Sequence, residues 1–526
     1  MNYIKSLHIE GFKKFSFLDI SFNPHTNILV GENEAGKSTI LDAIKIVLNQ
    51  TYRNADKSIL RDLFNLEMIA AFQSNPSIAT LPKILIEVEL ELDPKQANSS
   101  YFYGEVYGSR RSQPAKFGVR FECKYDEEIG SGMEQTILEG KIPYEYYTLI
   151  WSTFANRAYQ VIKKPLGFVS IDTTSNAASS SFNYYNRSLF ASKYDEVIRT
   201  KAKNDFRLRL ETALEEINLP PLSENRKFGI DSKKVVLEAI LSVYENSIAL
   251  ENRGGGMESL IKTQIALDKT NGLDVVLMEE PENHLSFITL QKMLYEISKR
   301  QNDTQIIIAT HSNMIASRLN LSNVLWIADK EVISLSCVNK TSADFFMRAD
   351  NNLFLQLLLS KKVFLVEGAT EFLLLPLFYK QVTKRSIEED SISIISCNGI
   401  SYKRYLDVVK STQKKIAVMT DNDGQSDKIA AADEFNKSHS MQQIFMGMKT
   451  DDWTWEVCIY KENKHVLDEL IPIKDGAQYC FHGENYGPVL GKMLNNKVET
   501  AYTMLTSGIE FTIPQYIRDA IEWLNK

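Results

Sequence analysis

The chain has 526 residues, 44% of them hydrophobic and 24% charged. That is too much chain for one core, so two or three domains are expected. No apolar run approaches the roughly 18 residues of a membrane span. The net charge of −7 excludes a uniformly basic nucleic-acid binder, so any DNA contact must be local or bridged by metal ions.

The opening "MNYIKSLHIEGF" alternates apolar and polar residues like a strand and lacks the apolar core of a signal peptide. The five cysteines, Cys123, Cys337, Cys397, Cys458 and Cys480, are scattered without a CxxC pair. That argues for a reducing compartment, here the cytoplasm, and against a structural zinc site. No membrane partner is expected.

"HTNILVGENEAGKSTILDAIKIVL" (25–48) reads as an apolar strand, a glycine loop and an amphipathic helix. It fits G-x4-G-K-[ST]: glycines let backbone N–H groups wrap phosphates at a helix N-terminus. Lys37 would reach the outer phosphates and the Ser38 hydroxyl would bind Mg²⁺. Asn33, Gly36 and Thr39 complete the expected ATP cradle. A return strand follows at 83–92. Residues 97–170 are aromatic and strand-rich. "SIDTTSNAASSSFNYYNRS" (170–188) has the composition of a mobile loop. Helical spacing appears at 190–217 and 231–251, with "NLPPLSEN" as the breaker between. This insertion reads equally as a dimerisation or partner arm and as a solvated helical hairpin.

"ENRGGGMESLIKTQIAL" (251–267) opens a helix with Gly254, Gly255 and Gly256, a second anion-binding arrangement. "LDVVLMEEPENHLS" (273–286) is an apolar strand ending in acids. Glu279 would support Mg²⁺ and Glu280 would be the general base for an attacking water. "TQIIIATHSNMI" (304–315) ends in His311, placed to sense the γ-phosphate. The ordered set of phosphate loop, glycine-helix, acidic strand and histidine strand resembles the ABC-type ATPase heads of SMC-like proteins, as does the opening "IKSLHIEGFKKFSFLDISF". The resemblance implies that the glycine-helix closes over ATP bound to an opposing subunit. Two departures stand out: Glu279 where many such heads have Asp, and Lys13 and Lys14 where Arg is commoner.

After a helical connection (343–359), apolar strands alternate with helices, as in a parallel sheet covered on its faces. Functional residues in such sheets collect beyond the carboxyl ends of strands. Glu367 ends one strand, with Glu371 one helical turn later. Asp421 and Asp423 end another in "AVMTDNDG". Crowded carboxylates need a compensating cation, and Mg²⁺ or Mn²⁺ suits an oxygen shell. A metal pair about 4 Å apart would stabilise both oxygens of a phosphodiester cleavage.

A Glu after one strand and a DxD after a later one resemble the TOPRIM catalytic domain. An ABC-type head followed by TOPRIM resembles the OLD (overcoming lysogenization defect) nucleases. This implies Mg²⁺-dependent DNA cleavage or nicking, homo-oligomers built through the ATPase heads, and a role in antiphage defence with a defence partner protein or nucleic acid. Carried onto this chain, Glu367 and Glu371 would be catalytic metal ligands or base, and Asp421 and Asp423 catalytic metal ligands. Glu456 in "TWEVCIY" supplies another acid, and Lys497 or Lys492 a phosphate-stabilising cation.

The expected fold is therefore α/β. An ABC-type P-loop ATPase domain (1–170 and 251–345) carries a helical insertion (171–250), and a TOPRIM domain (360–526) follows as a parallel sheet with flanking helices. The alternative is a DNA-repair or DNA-sensing SMC-like ATPase whose TOPRIM domain is structural or partner-binding. A primase or topoisomerase fits less well, since no cysteine cluster and no second large DNA-binding domain are present.

Overall fold

A computed structural model describes residues 1–526 apart from 54, 96–97, 107–113, 160–161, 163, 173–185, 188, 192, 217–225, 227–234, 268–272, 301–303, 329–330, 349–352, 411, 413 and 475–478. The chain divides into two compact units, Met1–Ser336 and Cys337–Lys526. Among the described residues no helix is long and apolar enough to cross a membrane.

The first unit holds two six-stranded sheets with a helix between them. β1 (Tyr3–Phe12), β2 (Phe15–Ser21), β4 (Ile84–Glu91), β5 (Tyr103–Gly104), β6 (Lys116–Tyr125) and β7 (Tyr147–Thr153) pair antiparallel, in the order β2-β1-β4-β6-β5 with β7 also on β6. The other sheet is ordered β14-β13-β3-β12-β11-β8. Its parallel strands are β3 (Thr26–Gly31), β8 (Phe168–Asp172), β11 (Val275–Glu279), β12 (Gln305–Ala309) and β13 (Val324–Ala328), and β14 (Glu331–Ser334) is an antiparallel edge. The two sheets read differently for a physical reason. β2 alternates buried and exposed residues, as a sheet with one covered face does. β3 and β12 are buried throughout, as strands covered on both faces must be. The helix α1 (Lys37–Asn49) supplies Ile40, Leu41, Ile44 and Val47 to a core shared with Leu7, Val88 and Phe121 of one sheet and Leu277 and Ile307 of the other.

In the insertion, α2 (Glu196–Glu216) matches the first helical stretch. The second stretch is not a helix through 251. A four-residue helix, Leu237–Ile240, gives way to a hairpin of β9 (Tyr244–Glu245) and β10 (Ile248–Ala249). Asn246 and Ser247 turn this hairpin with positive φ. That turn interrupts a 3.6-residue pattern which spacing alone could not distinguish from a short strand pair. The Ser/Asn-rich loop and the breaker "NLPPLSEN" lie largely outside the described residues. The glycine-helix α3 (Gly255–Ala266) and α4 (Phe287–Arg300) complete the unit's main helices.

The second unit begins with α5 (Lys340–Arg348) and α6 (Phe354–Leu359). It is built on a four-stranded, wholly parallel sheet of order β16-β15-β17-β18. The strands are β15 (Lys362–Val366), β16 (Ile392–Ser396), β17 (Lys415–Met419) and β18 (Gln442–Phe445). Between them run α7 (Ala369–Thr383), α8 (Tyr402–Val409) and α9 (Ser426–Ser438). The helices α10 (Trp455–Leu470), α11 (Pro488–Asn495), α12 (Lys497–Thr506) and α13 (Gln515–Asn525) follow and share a core with the sheet through Trp455, Met493, Met504 and Ile517. The central pair β15 and β17 is in register Val366 to Met419, so Glu367 and Thr420 leave the sheet side by side.

Candidate functional site

Two acidic sites form, one in each unit, both at the carboxyl ends of parallel strands.

In the first unit, β3 turns through the glycine loop into α1. Gly36 has φ +106°, and a Cβ there would lie 2.4 Å from the Phe15 ring, so only glycine fits without moving the loop. Lys37 is buried, and its Nζ donates to the carbonyl oxygens of Gly31 (3.1 Å) and Glu32 (3.0 Å). Burial outweighs the pull of Glu280, Glu282 and Glu279 and brings this amine down to about 8. Asn33 and Ser38 are exposed and Thr39 is half-buried.

Glu279 ends β11, with its Oε2 4.0 Å from Lys45 Nζ. Glu280 follows in the left-handed region at φ +43°, a costly conformation for this residue type. Its carboxylate accepts from Asn283 Nδ2 (2.8 Å) and stands 3.6 Å from His311 Nε2. Burial, then Lys37, holds His311 below its usual range. The arrangement therefore keeps a neutral imidazole beside the predicted base.

Glu282, not singled out from the sequence, joins the two loops. Its Oε1 accepts from Thr310 Oγ1 (2.6 Å) and from the His311 N–H (3.0 Å). Its Oε2 is buried without a hydrogen-bond partner. The available signal was its place in the same acidic turn, three residues after Glu279. The glycine-helix abuts this turn, because a Cβ on Gly256 would lie 2.4 Å from the His284 carbonyl oxygen. Gly254 caps that helix in an extended conformation without a side-chain cap.

In the second unit, Glu367 accepts from Thr420 Oγ1 (2.9 Å) and the Asp421 N–H (3.1 Å). Asp421 accepts from Thr454 Oγ1 (2.7 Å) and the Trp455 N–H (2.9 Å). Thr454 also reaches Glu456 Oε2 (2.7 Å), which meets Lys497 Nζ at 3.0 Å. Glu371 is buried and accepts the Gly368 N–H (3.1 Å), so it also caps its own helix. The structure thus joins Glu367, Glu371, Asp421, Glu456 and Lys497, residues spread over 131 positions of chain. Of the two candidate lysines, Lys492 is directed elsewhere, to the Pro472 carbonyl oxygen at 2.7 Å. Asp423 stands apart as well: it is exposed, has φ +49° and pairs with Lys428. The cause lies in Asn422 between the two aspartates. Fully buried, Asn422 donates to the carbonyl oxygens of Gly447, Lys449 and Asp452 and so splays its neighbours to opposite sides.

The electrostatics follow from burial first and crowding second. Burial pushes Asp421 up to about 7 against the Thr454 hydrogen bond, with Glu367, Glu456 and Glu371 adding to the rise. Burial likewise raises Glu371 to about 7, reinforced by Glu456 and Glu367. Lys497 titrates above its usual range although burial pulls it down, because Glu456, Asp421 and Glu371 hold its charge. One ammonium does not balance four carboxylates, and a hard divalent cation suits the remaining oxygen donors. Among the described residues no three acids converge as a ready coordination shell. The fit lies in the donor set and its excess negative charge.

A strand–glycine loop–helix with acids on neighbouring strands defines a P-loop ATPase domain. Carboxylates at the ends of a four-stranded parallel sheet define a TOPRIM-type domain behind it. Comparison agrees on both counts. Residues 2–316 match the family model described as AAA ATPase domain, and residues 358–423 match the overcoming lysogenization defect protein-like TOPRIM domain. The first match covers more than half of the chain, which belongs to this ATPase family and carries an OLD-like TOPRIM domain after it.

Curated relatives include the DNA replication and repair protein RecF of Lactobacillus johnsonii, 38% identical over 61 residues, or 11% of this chain and 16% of the relative. The RecF of Limosilactobacillus reuteri is 27% identical over 99 residues, 19% of this chain and 26% of the relative. The chain thus spans only 16% and 26% of the length of these two relatives. Similar solved structures include an SMC head domain from Thermotoga maritima, with TM-score 0.29 and 14% identity, covering 63% of this chain and 98% of that one. The recombination mediator protein RecF aligns with TM-score 0.32 and 11% identity over 64% of this chain and 98% of its own.

Proposed function

We propose that the chain is an ATP-binding and ATP-hydrolysing, divalent-metal-dependent DNA endonuclease that cleaves or nicks its substrate. The observation that carries this reading is the clustering of Glu367, Glu371, Asp421 and Glu456 beside the carboxyl ends of β15 and β17, with Lys497 paired to Glu456. Asp423 extends the set once it leaves Lys428. A bound Mg²⁺ or Mn²⁺ would supply the positive charge that the attacking and leaving oxygens of a phosphodiester need. The protein's own part would be to hold these acids close together, ready to ionise when the metal binds, and to place the Lys497 ammonium where negative charge develops on the phosphate.

ATP occupies the other site. Lys37, the loop amides ending at Gly36, Asn33, Ser38 and Thr39 would hold its phosphates, with Ser38 and Glu279 supporting Mg²⁺. Glu280 takes a proton from the attacking water, and His311 reports the γ-phosphate to the turn through the Glu282 bridge. The glycine-helix, Gly254 to Gly256, acts across a homodimer or larger assembly of heads. Gly255→Arg then reduces hydrolysis while leaving the fold intact, and a fully active monomer in light scattering counts against the assembly. A cytoplasmic role in antiphage defence, with a partner protein or nucleic acid, is the cellular setting this reading favours.

The deciding experiment is nicking of supercoiled plasmid with Mg²⁺ or Mn²⁺, with and without ATP, comparing wild type with Asp421→Ala. Metal-dependent nicking that the variant lacks supports the reading, and nicking retained by the variant overturns it. The local identity to RecF favours a second reading, a DNA-repair or DNA-sensing ATPase whose TOPRIM domain binds a partner. That reading expects no metal-dependent nicking from either protein.

A further inference from the structure

A cavity of about 580 Å³ lies in the second unit between α8 and α9, and Thr420 and Asp421 line it. It is thus continuous with the carboxylate cluster without being part of it. Its lining has two characters. Leu406, Ala432, Ile444 and Met446 are buried apolar side chains, and the small Ala431 and Ala432 leave room on the α9 wall. Lys403, Lys410 and Lys428 are exposed. His439 adds a flat surface, with its ring stacked on Phe435 at 4.0 Å and 7°.

The charges that line the cavity favour an anion on its open side. Lys428 is paired with Asp423. Asp407 accepts from Ser342 Oγ (2.8 Å), and Asp421 is held by Thr454 and the Trp455 N–H. Among the described residues no ion pair takes up Lys403 or Lys410, and both are exposed where Asp407 is only half-buried, so they offer the rim's accessible cations. An apolar floor with a cationic rim suits a ligand that is flat and apolar at one end and anionic at the other. Clefts of about 300–1,000 Å³ are the usual size for such small ligands.

We propose that this cavity receives one unpaired nucleotide of the DNA strand whose neighbouring phosphate lies at the carboxylate cluster. Its base would enter between α8 and α9 and its phosphate would face Lys403 and Lys410. The proposal rests on the nuclease reading for its direction, because Asp421 belongs to both places. A base paired and stacked within a duplex cannot enter a cleft between two helices, so the substrate is single-stranded, or has a nucleotide turned out of the stack. Stacking and backbone charge together make such contacts tolerant of sequence.

The test uses the full chain, with fluorescence anisotropy of a labelled twelve-residue oligothymidylate in Ca²⁺, a hard cation that suits the acids' oxygen donors. Ala431→Trp fills the cavity from an exposed position, and Lys403→Ala with Lys410→Ala removes the rim charge. Each should weaken binding about tenfold or more, by loss of roughly one base's stacking or two phosphate contacts. The lysine variant should also flatten the salt dependence by about one to two in slope. Duplex binding, ATP hydrolysis and thermal melting should stay as in wild type. Three results overturn the proposal: a wild type that binds no single strand, an Ala431→Trp variant that binds it as tightly as wild type, and thymidine monophosphate alone competing as well as the oligomer. If wild type fails to cleave while Ala431→Trp still weakens strand binding, the nuclease reading fails and the cavity assignment stands. If wild type cleaves while Ala431→Trp binds unchanged, the cavity assignment fails alone.

Discussion

The two strand-end sites share a layout and differ in charge balance. In the first unit, Glu279, Glu280 and Glu282 lie among Lys37, Lys45 and His311. In the second, Glu367, Glu371, Asp421 and Glu456 lie together, and the cation beside them is Lys497, bonded to Glu456. A site that must admit a polyphosphate needs cations and N–H groups in place beforehand, with acids kept for a metal and a water. A site that must admit metal ions needs the reverse, and its acids bear the cost of crowding until the cation arrives. Burial raises Asp421 and Glu371 and depresses Lys37; the neighbouring acids add to the shift in the second site and oppose it in the first.

The strongest way to break the comparison is to remove one site and measure both. Asp421→Ala should lower DNA cleavage by about a thousandfold or more and leave ATP hydrolysis within about twofold. Lys37→Ala should do the opposite to hydrolysis, by about a hundredfold or more. Both activities are read on one preparation of each variant, and loss of both together in Asp421→Ala would merge the two sites into one.

Single-group changes sharpen the roles. Glu280→Gln should still bind ATP but hydrolyse it about 10²–10⁴-fold more slowly, the range for losing a general base. Unchanged turnover would move the base elsewhere. Lys497→Ala should reduce cleavage about a hundredfold, whereas Lys492→Ala, whose ammonium serves the Pro472 carbonyl, should stay within about twofold. Equal losses in the two lysine variants would remove the distinction.

pH should separate the sites by sign. Lys37 titrates near 8, so ATP affinity should weaken by up to about tenfold per pH unit above that value, read by calorimetry. Asp421 and Glu371 titrate near 7, so Mn²⁺ binding should strengthen as pH rises through 7. In the metal-free protein a raised carboxylate pKa means the folded state holds its proton more tightly than the unfolded chain. Stability is then highest below the unfolded value of about 4 and falls as pH climbs to 7. Mn²⁺ should restore a melting temperature lost this way by a few degrees, and Glu371→Gln should flatten the curve. A metal-free melting temperature that rises from pH 5 to 8 in wild type but not in Glu371→Gln would invert the assignment.

The smallest expected effect concerns Glu282. Glu282→Gln keeps one acceptor for Thr310 and the His311 N–H, so hydrolysis should fall only about tenfold. Glu282→Ala should fall further, and equal rates in the two would leave the bridge without a role.

Short-range chemistry made much of this readable from the residues. The phosphate loop needs glycine where φ is positive, and Gly36 stands there. Parallel strands covered on both faces are mostly apolar, so β3, β11, β12, β15 and β17 declare themselves, and so do the acids that end β11 and follow β15 and β17. The region 231–251 misled because four residues of helix followed by a tight hairpin carry an apolar spacing close to a helical one.

The sequence by itself determined the order of strands and helices, the two places where acids meet strand ends and the residue types available there, because those depend on neighbours a few positions apart. Tertiary structure alone decided which of those groups meet. It chose Lys497 over Lys492, drew Glu456 to Asp421 through Thr454, turned Asp423 away on the Asn422 anchor, and made Glu282 the link to His311. Each of these is a contact between chain segments whose separation only packing closes, and a hydrogen bond is settled by tenths of an ångström that no spacing rule supplies.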